Sequence, residues 1–344
     1  MSYTNGLDDP TLYFNTNLYT GNNTETSHTV GFQPDFTWLK VRNAVGSHYL
    51  FDSVRLATKY LRTNSTGAEG TDANTLKSFD SNGYTVGTSN AVNTNGETMV
   101  GWNWLGANGT ASNTDGSITS TVSANTTSGF SIVSYTGTGA NATVGHGLGV
   151  APKMYIVKNR QYVEQWDVYH ESLGATKNLS LDSSAAAATQ ASRWNNTAPT
   201  SSVFSLGTSE SINNSGDNLI AYCFAEKQGY SKFGSYTGNG NADGTFVYTG
   251  FKPAFVIFKR TDAVFTWSMF DNKRDIDNVT HHRLQPNASN AEYSGTEMNH
   301  DLLSNGFKLR TSDNEFNASG GTYIYMAFAE NPFVTSTGVP ATAR

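Results

Sequence analysis

The sequence predicts an all-β protein made of three tandem homologous β-sandwich modules, and three observations predict it. The first is composition. The chain has 43 Thr, 35 Ser, 35 Asn and 33 Gly, against 15% charged residues and 8 prolines. A helical bundle or coiled coil needs abundant Ala, Glu, Lys and Leu at helical periods, so that class is excluded. The second is aromatic content: 17 Tyr, 19 Phe and 6 Trp supply enough large apolar surface to build cores, which sets the chain apart from simple disorder. The third is an ordered series of signals that occurs three times.

Each series opens with an extended run ending in Tyr-Thr-Gly, at Tyr19, Tyr135 and Tyr236. A glycine three places before a proline comes next, in the pairs Gly31/Pro34, Gly149/Pro152 and Gly250/Pro253. The apolar run after each proline is rich in β-branched and aromatic residues, as a strand buried on both faces requires. A lysine stands six places after each proline (Lys40, Lys158, Lys259) and an aromatic seventeen places after (Phe51, Tyr169, Phe270). Trp166 and Trp267 occupy the fourteenth place, where the first copy has His48. Each series closes on a short strand at Tyr84, Phe204 and Phe307 and a last apolar run holding Trp102 and Trp104, Tyr222 and Phe224, or Met326 and Phe328. The prolines are 118 and then 101 residues apart, a length that suits a sandwich better than a propeller blade of roughly 40–50 residues.

These signals set the boundaries. Residues 1–10 form an N-terminal attachment peptide, 11–106 the first module and 107–128 a Ser/Thr/Asn/Gly-rich linker in which Ile118 and Val122 can give one strand. Residues 129–228 and 229–331 form the second and third modules, and 332–344 a loosely held tail. Helix is minor, with short turns expected near 53–60 and 183–192. The repeated tryptophans are expected in the core.

A formal charge of −6 leaves no broad cationic field for a nucleic-acid backbone, so no nucleic-acid partner is expected. No apolar stretch approaches the roughly 20 residues of a membrane span. The start of the chain has neither a basic nor an apolar leader region, so folding in a cytoplasm is expected. The single cysteine, Cys223, excludes an internal disulfide framework and reads as a buried thiol.

Catalytic signatures are scarce, and the expectation is no enzyme, no cofactor and no metal. The densest acidic cluster holds Asp167 and Glu171, the pair a glycan depolymerase would need; a polar outer strand face is the preferred reading. Asn239, Asn241, Asp243 and Gly244 match the oxygen spacing of a calcium loop, but an Asn/Gly-rich turn gives the same pattern. His281 and His282, adjacent on a strand, would face opposite ways and make a poor metal pair.

The phrases from Leu12 to Gly21, Gly31 to Arg42, His48 to Arg55, Ser78 to Gly83, Gly145 to Pro152 and Tyr323 to Pro332 resemble tail-fibre-like virion proteins of tailed, particularly marine, bacteriophages. The resemblance covers nearly the whole chain. It implies a non-enzymatic virion protein of tail-fibre or receptor-binding type, made in the host cytoplasm. Its partners would be other virion proteins and a host surface glycan or protein, and the resemblance implies a homotrimer. A decoration or adaptor protein of capsid or tail is the alternative. Recognition is expected where the copies differ: Arg193, Trp194, Asn195 and Asn196, with Trp194 either offering a ring to a sugar or packing under its own loop, then Arg274, Asp277 and the His281–His282 pair.

Overall fold

The computed structural model describes Thr4 and residues 6–342, and the fold is all-β with a sandwich character. One strand order occurs three times. In the first stretch, Phe14–Thr20 pairs with Thr98–Trp104, which pairs with Phe36–Val41, which pairs with Tyr49–Asp52. In the second, the order is Phe130–Thr136, Asn218–Phe224, Met154–Asn159, Asp167–His170. In the third it is Ser231–Thr237, Thr322–Pro332, Phe251–Arg260, Trp267–Asp271. The prolines share one register position: each lies two residues before the residue paired with Trp104, Phe224 or Phe328. The glycines three places earlier have φ of 99°, 71° and 82°, the left-handed region where a side chain is strained, so the spacing from Gly to Pro is a backbone requirement.

Each main sheet carries a smaller sheet on its outer face. These are formed by Thr26–Thr29, Gly83–Val86 and Leu76–Asp80, by Ala142–Gly145 and Val203–Leu206, and by Phe246–Tyr248, Gly306–Leu309 and His300–Leu303. Alternation along one strand shows why the post-proline runs read as continuously apolar. Leu39 faces its own sandwich with Phe51, Tyr84 and Val86, whereas Phe36 and Trp38 face the other way. That other way is a core common to all three stretches, with Trp104, Phe224, Phe255 and Phe328 packed together. Every tryptophan is buried.

The three sheets meet head to tail in a closed ring. At the first contact, Tyr222 donates to Asp52 at 2.7 Å, Trp166 Nε1 to the Arg62 carbonyl at 3.1 Å, and Glu164 N to the Thr66 carbonyl at 3.0 Å. At the second, His170 Nε2 meets the Tyr325 carbonyl at 3.2 Å, Trp267 Nε1 donates to the Ser180 carbonyl at 2.9 Å, and Phe265 N to the Ser184 carbonyl at 3.0 Å. At the third, Trp102 Nε1 donates to Asp271 at 3.0 Å and Gly46 N to the Ser289 carbonyl at 2.8 Å. The main-chain bonds and the places of Asp52, His170 and Asp271 correspond at the three contacts, while Tyr325 lies one place before the position of Tyr222 and Trp102. The arrangement is that of a heterologous interface whose rotation closes.

Several expectations need correction. Residues 53–60 are not helical: Leu56 and Thr58 have φ of 77° and 72°, and Arg55 plugs into Asp52 and the Leu50 carbonyl. From 183 to 192 only the start of Ala191–Trp194 is helical. The helices that recur are Asn90–Asn93, Glu210–Asn213 and Asn314–Asn317. The stretch expected as a linker holds two strands, Ala111–Asn113 and Ser120–Asn125, which extend the second main sheet, while Ile118 and Val122 are buried. Of the N-terminal peptide, 1–3 and 5 lie outside the described residues, but Leu7 is buried in the common core. The tail, of which 343 and 344 lie outside the described residues, is pinned by a Val334–Pro340 bridge and by Ser336 N donating to Asp8 at 2.8 Å.

Candidate functional site

Strand direction divides the ring into two faces. The runs Phe14–Thr20 and Phe36–Val41 point the same way, so the Tyr-Thr-Gly turns and the hairpins after each lysine lie together, while the chain enters and leaves at the opposite face. On the turn side, Asn93, Asn213 and Asn317 are buried plugs. Each donates to a carbonyl six residues earlier, Gly87, Gly207 or Thr311, at 2.7–2.8 Å, and accepts from the N–H of Asn22, Thr138 or Asn239 at 2.9–3.0 Å. A glycine three places later, with φ of 81°, 81° and 74°, completes the Asn-x-x-Gly signal that would have found these plugs in the sequence.

The hairpins past the lysines present one exposed valine each: Val45, Val163 and Val264, at 76%, 72% and 69% exposure. Their places correspond, since 118 and 101 separate them as they separate the prolines. The second hairpin differs. It carries Tyr162, 57% exposed, where the others have Ala44 and Ala263. Tyr162 and Val163 border a pocket of about 450 Å³ lined also by Asn159, Glu164, Glu210, Asn214 and Asp217. Asn159 and Asn214 donate to Asp217 at 2.6 and 2.9 Å, which fixes the pocket's polar floor under an aromatic rim. An exposed phenol ring beside amides and carboxylates can stack on a sugar ring and hydrogen-bond its hydroxyls.

The residues singled out in the sequence land elsewhere. Trp194 is fully buried, edge-on to Tyr155 at 4.9 Å and donating to the Lys177 carbonyl at 3.2 Å, so it offers no ring to a ligand. This is the packing alternative: the ring lies under its own loop against Tyr155, Tyr169 and the Lys177 carbonyl. Arg193 pairs with Asp167 at 2.8 Å and donates to Ser211. Asn195 and Asn196 are exposed, both at φ 50°, and Asn195 accepts from Asn141. Arg274 is buried in the ring contact with Asp271 and Glu292, so it too is removed from the surface, whereas Asp277 is exposed.

Asp167 and Glu171 are not brought together. Asp167 is buried, and burial pushes it up to about 6 against the pull of Arg193. Glu171 lies at the surface, paired with Lys153, where a 3-10 turn breaks the strand period that would have aligned the two. In the loop at 239–244, Asn239 Oδ1 accepts from Asn317 at 2.8 Å and Asp243 pairs with Lys308 at 2.6 Å, so these oxygens serve the turn.

His281 and His282 do not face opposite ways. His281 precedes the strand His282–Arg283, and the side chain of Asp275 gathers both residues: its Oδ2 accepts from both backbone N–H groups at 2.9 Å, and its Oδ1 lies 2.5 Å from His282 Nδ1 and 3.8 Å from His281 Nδ1. The two imidazole rings are 4.5 Å apart, and both are about one-third exposed.

Fold and surface together define an all-β, single-chain ring with exposed hairpins on one face. The family described as Domain of unknown function (DUF7483) matches residues 9–332, and the chain belongs to that family. One match thus spans all three occurrences of the strand order. No curated protein matches the chain.

Proposed function

We propose that this protein is a non-enzymatic structural protein of a bacteriophage virion, of tail-fibre or receptor-binding type, that contacts a host surface glycan through the hairpin face of the ring. The three stretches are read as homologous β-sandwich modules that arose by repetition. The virion setting rests on the resemblance of the repeated phrases. The contact surface rests on one observation: Tyr162 stands exposed over a polar pocket at the one hairpin where the copies depart from Ala. A fold that spends its shared residues on turns and cores leaves recognition to such departures.

The test is adsorption of purified protein to host cells. Tyr162→Ala should abolish or strongly weaken adsorption with thermal stability unchanged, and unchanged adsorption would remove this pocket from the reading. Decoration of a capsid or tail by protein–protein contact is a second reading, favoured by the valine repeated at all three hairpin tips. It predicts that substituting Val45, Val163 and Val264 together by Asp releases the protein from virions while Tyr162→Ala does not.

A further inference from the structure

We propose that Asp275, His281 and His282 form a binding site for a divalent transition-metal ion of the zinc class. The site belongs to the third stretch alone. Met269 pairs with Leu284 across 15 residues, whereas the corresponding pairs, Leu50 with Leu61 and Val168 with Leu179, span 11. The four added residues make room for a loop that the other two copies lack, and this loop carries all three side chains. At the places of His281 and His282 the other copies have Thr58 and Lys59, and Thr176 and Lys177.

The geometry is close to what such an ion needs. One ligand-type atom from each residue lies within 4.8 Å of the others. Zinc bonds to nitrogen and carboxylate oxygen at about 2.0–2.2 Å, which puts ligand atoms of a tetrahedral site roughly 3.3 Å apart. Opening the 2.5 Å separation between Asp275 Oδ1 and His282 Nδ1, and closing the 3.8 Å separation to His281 Nδ1, each asks for less than 1 Å of movement. The carboxylate is buried and already aimed, because its Oδ2 is held by two backbone N–H groups. Outer support of this kind orients metal ligands. Arg274 donates to the His282 carbonyl at 2.9 Å and fixes the backbone behind the second imidazole.

Access and coordination number also fit. A pocket of about 350 Å³, lined by His281 with Val279, Ser294, Gly295, Thr296 and Asn299, opens beside the cluster. Three protein ligands would leave a fourth position for water or for a donor from a binding partner. Two imidazoles and one carboxylate suit zinc, nickel or copper. Calcium would ask for six to eight oxygens, and magnesium for a near-octahedral oxygen shell. The rival reading is a loop closed by hydrogen bonds alone, those of Asp275 together with the one His281 Nδ1 makes to the Val279 carbonyl at 2.9 Å, which an ion bound at Nδ1 would have to displace.

Titration of the tag-free, chelator-treated full chain with zinc chloride distinguishes the two in an isothermal calorimeter. The proposal expects one ion per chain, with affinity reduced at least tenfold in His281→Ala and in His282→Ala. Absence of stoichiometric binding, or binding by either variant as tight as that of the wild type, would overturn it. Should either variant fail to fold, anomalous diffraction from zinc-soaked wild-type crystals decides. A peak within bonding distance of the three side chains supports the site, and a peak elsewhere or no peak contradicts it.

Discussion

Two of the three contacts in the ring are built on charge and the third is not. Where the first stretch meets the second, the buried pair Asp52–Arg55 is joined by Glu69, which also takes Arg160 in a two-pronged bond at 2.8 and 3.0 Å. Where the third meets the first, Asp271–Arg274 is joined by Glu292, which takes Arg42 at 3.0 and 2.8 Å, with Arg274 over the Trp102 ring. Where the second meets the third, the four corresponding places hold His170, Leu173, Ala187 and Thr261, and Leu173 and Ala187 pack on the common core. All four charges are gone together, and so is the side-chain donor: Met326 stands where Trp102 and Tyr222 donate. A buried ion network of this kind is kept whole or replaced whole, since one member left alone is an uncompensated buried charge.

The largest expected effect follows directly. Asp52→Ala or Asp271→Ala takes the nearer carboxylate from a buried guanidinium, leaving it Glu69 or Glu292 alone, and should cost about 3–5 kcal/mol in denaturant unfolding. His170→Ala removes one hydrogen bond from the Tyr325 carbonyl and should cost only about 1–3 kcal/mol. Equal losses at all three positions would erase the distinction between the contacts.

A transplant sharpens it. Carrying Asp271→His, Arg274→Leu, Glu292→Ala and Arg42→Thr together imports the neutral set, and the quadruple variant should be more stable than Asp271→Ala alone. Such strong non-additivity is expected only of residues that act as one network. If the four losses simply sum, the network reading fails.

Acid should separate the contacts more mildly. Burial pushes His170 down to about 4, against the pull of the Tyr325 carbonyl and the Glu171 carboxylate, which favour the charged ring. Between pH 6.5 and 4 the unfolded chain therefore binds more protons than the folded one, and stability falls as pH falls through that window. His170→Gln should flatten this part of the profile, by up to about 3 kcal/mol over the 2.5-unit interval. Burial raises Glu69 and Glu292, but Arg160 with Arg55, and Arg42 with Arg274, outweigh it and hold both carboxyls below their ordinary value. The charged contacts thus keep their contribution above the unfolded value near 4.5 and lose it as pH falls below that. A thermal melt series from pH 8 to 3 reads both windows.

What the sequence made legible follows from the same contrast. Prolines, glycines, lysines and aromatics common to the three stretches marked strands and turns, because each stretch uses them at one register position. Burial of Lys40, Lys158 and Lys259, which pushes each down to about 8, follows from that shared position past the proline. The ring was not legible, since its contacts join residues far apart in the chain and differ in chemistry from copy to copy. Tyr162 was within reach by comparing the hairpins, whereas the pairing of Asp275 with two histidines depends on how one longer loop turns.

Calorimetric unfolding tests the closed single-chain ring most directly. Three sheets sharing Trp104, Phe224 and Phe328 in one core should unfold together. Because the ring closes within one chain, closure itself asks nothing of a second copy. The account predicts one transition with matching calorimetric and van't Hoff enthalpies and a midpoint independent of protein concentration. Three separable transitions, or a midpoint that climbs with concentration, would contradict it.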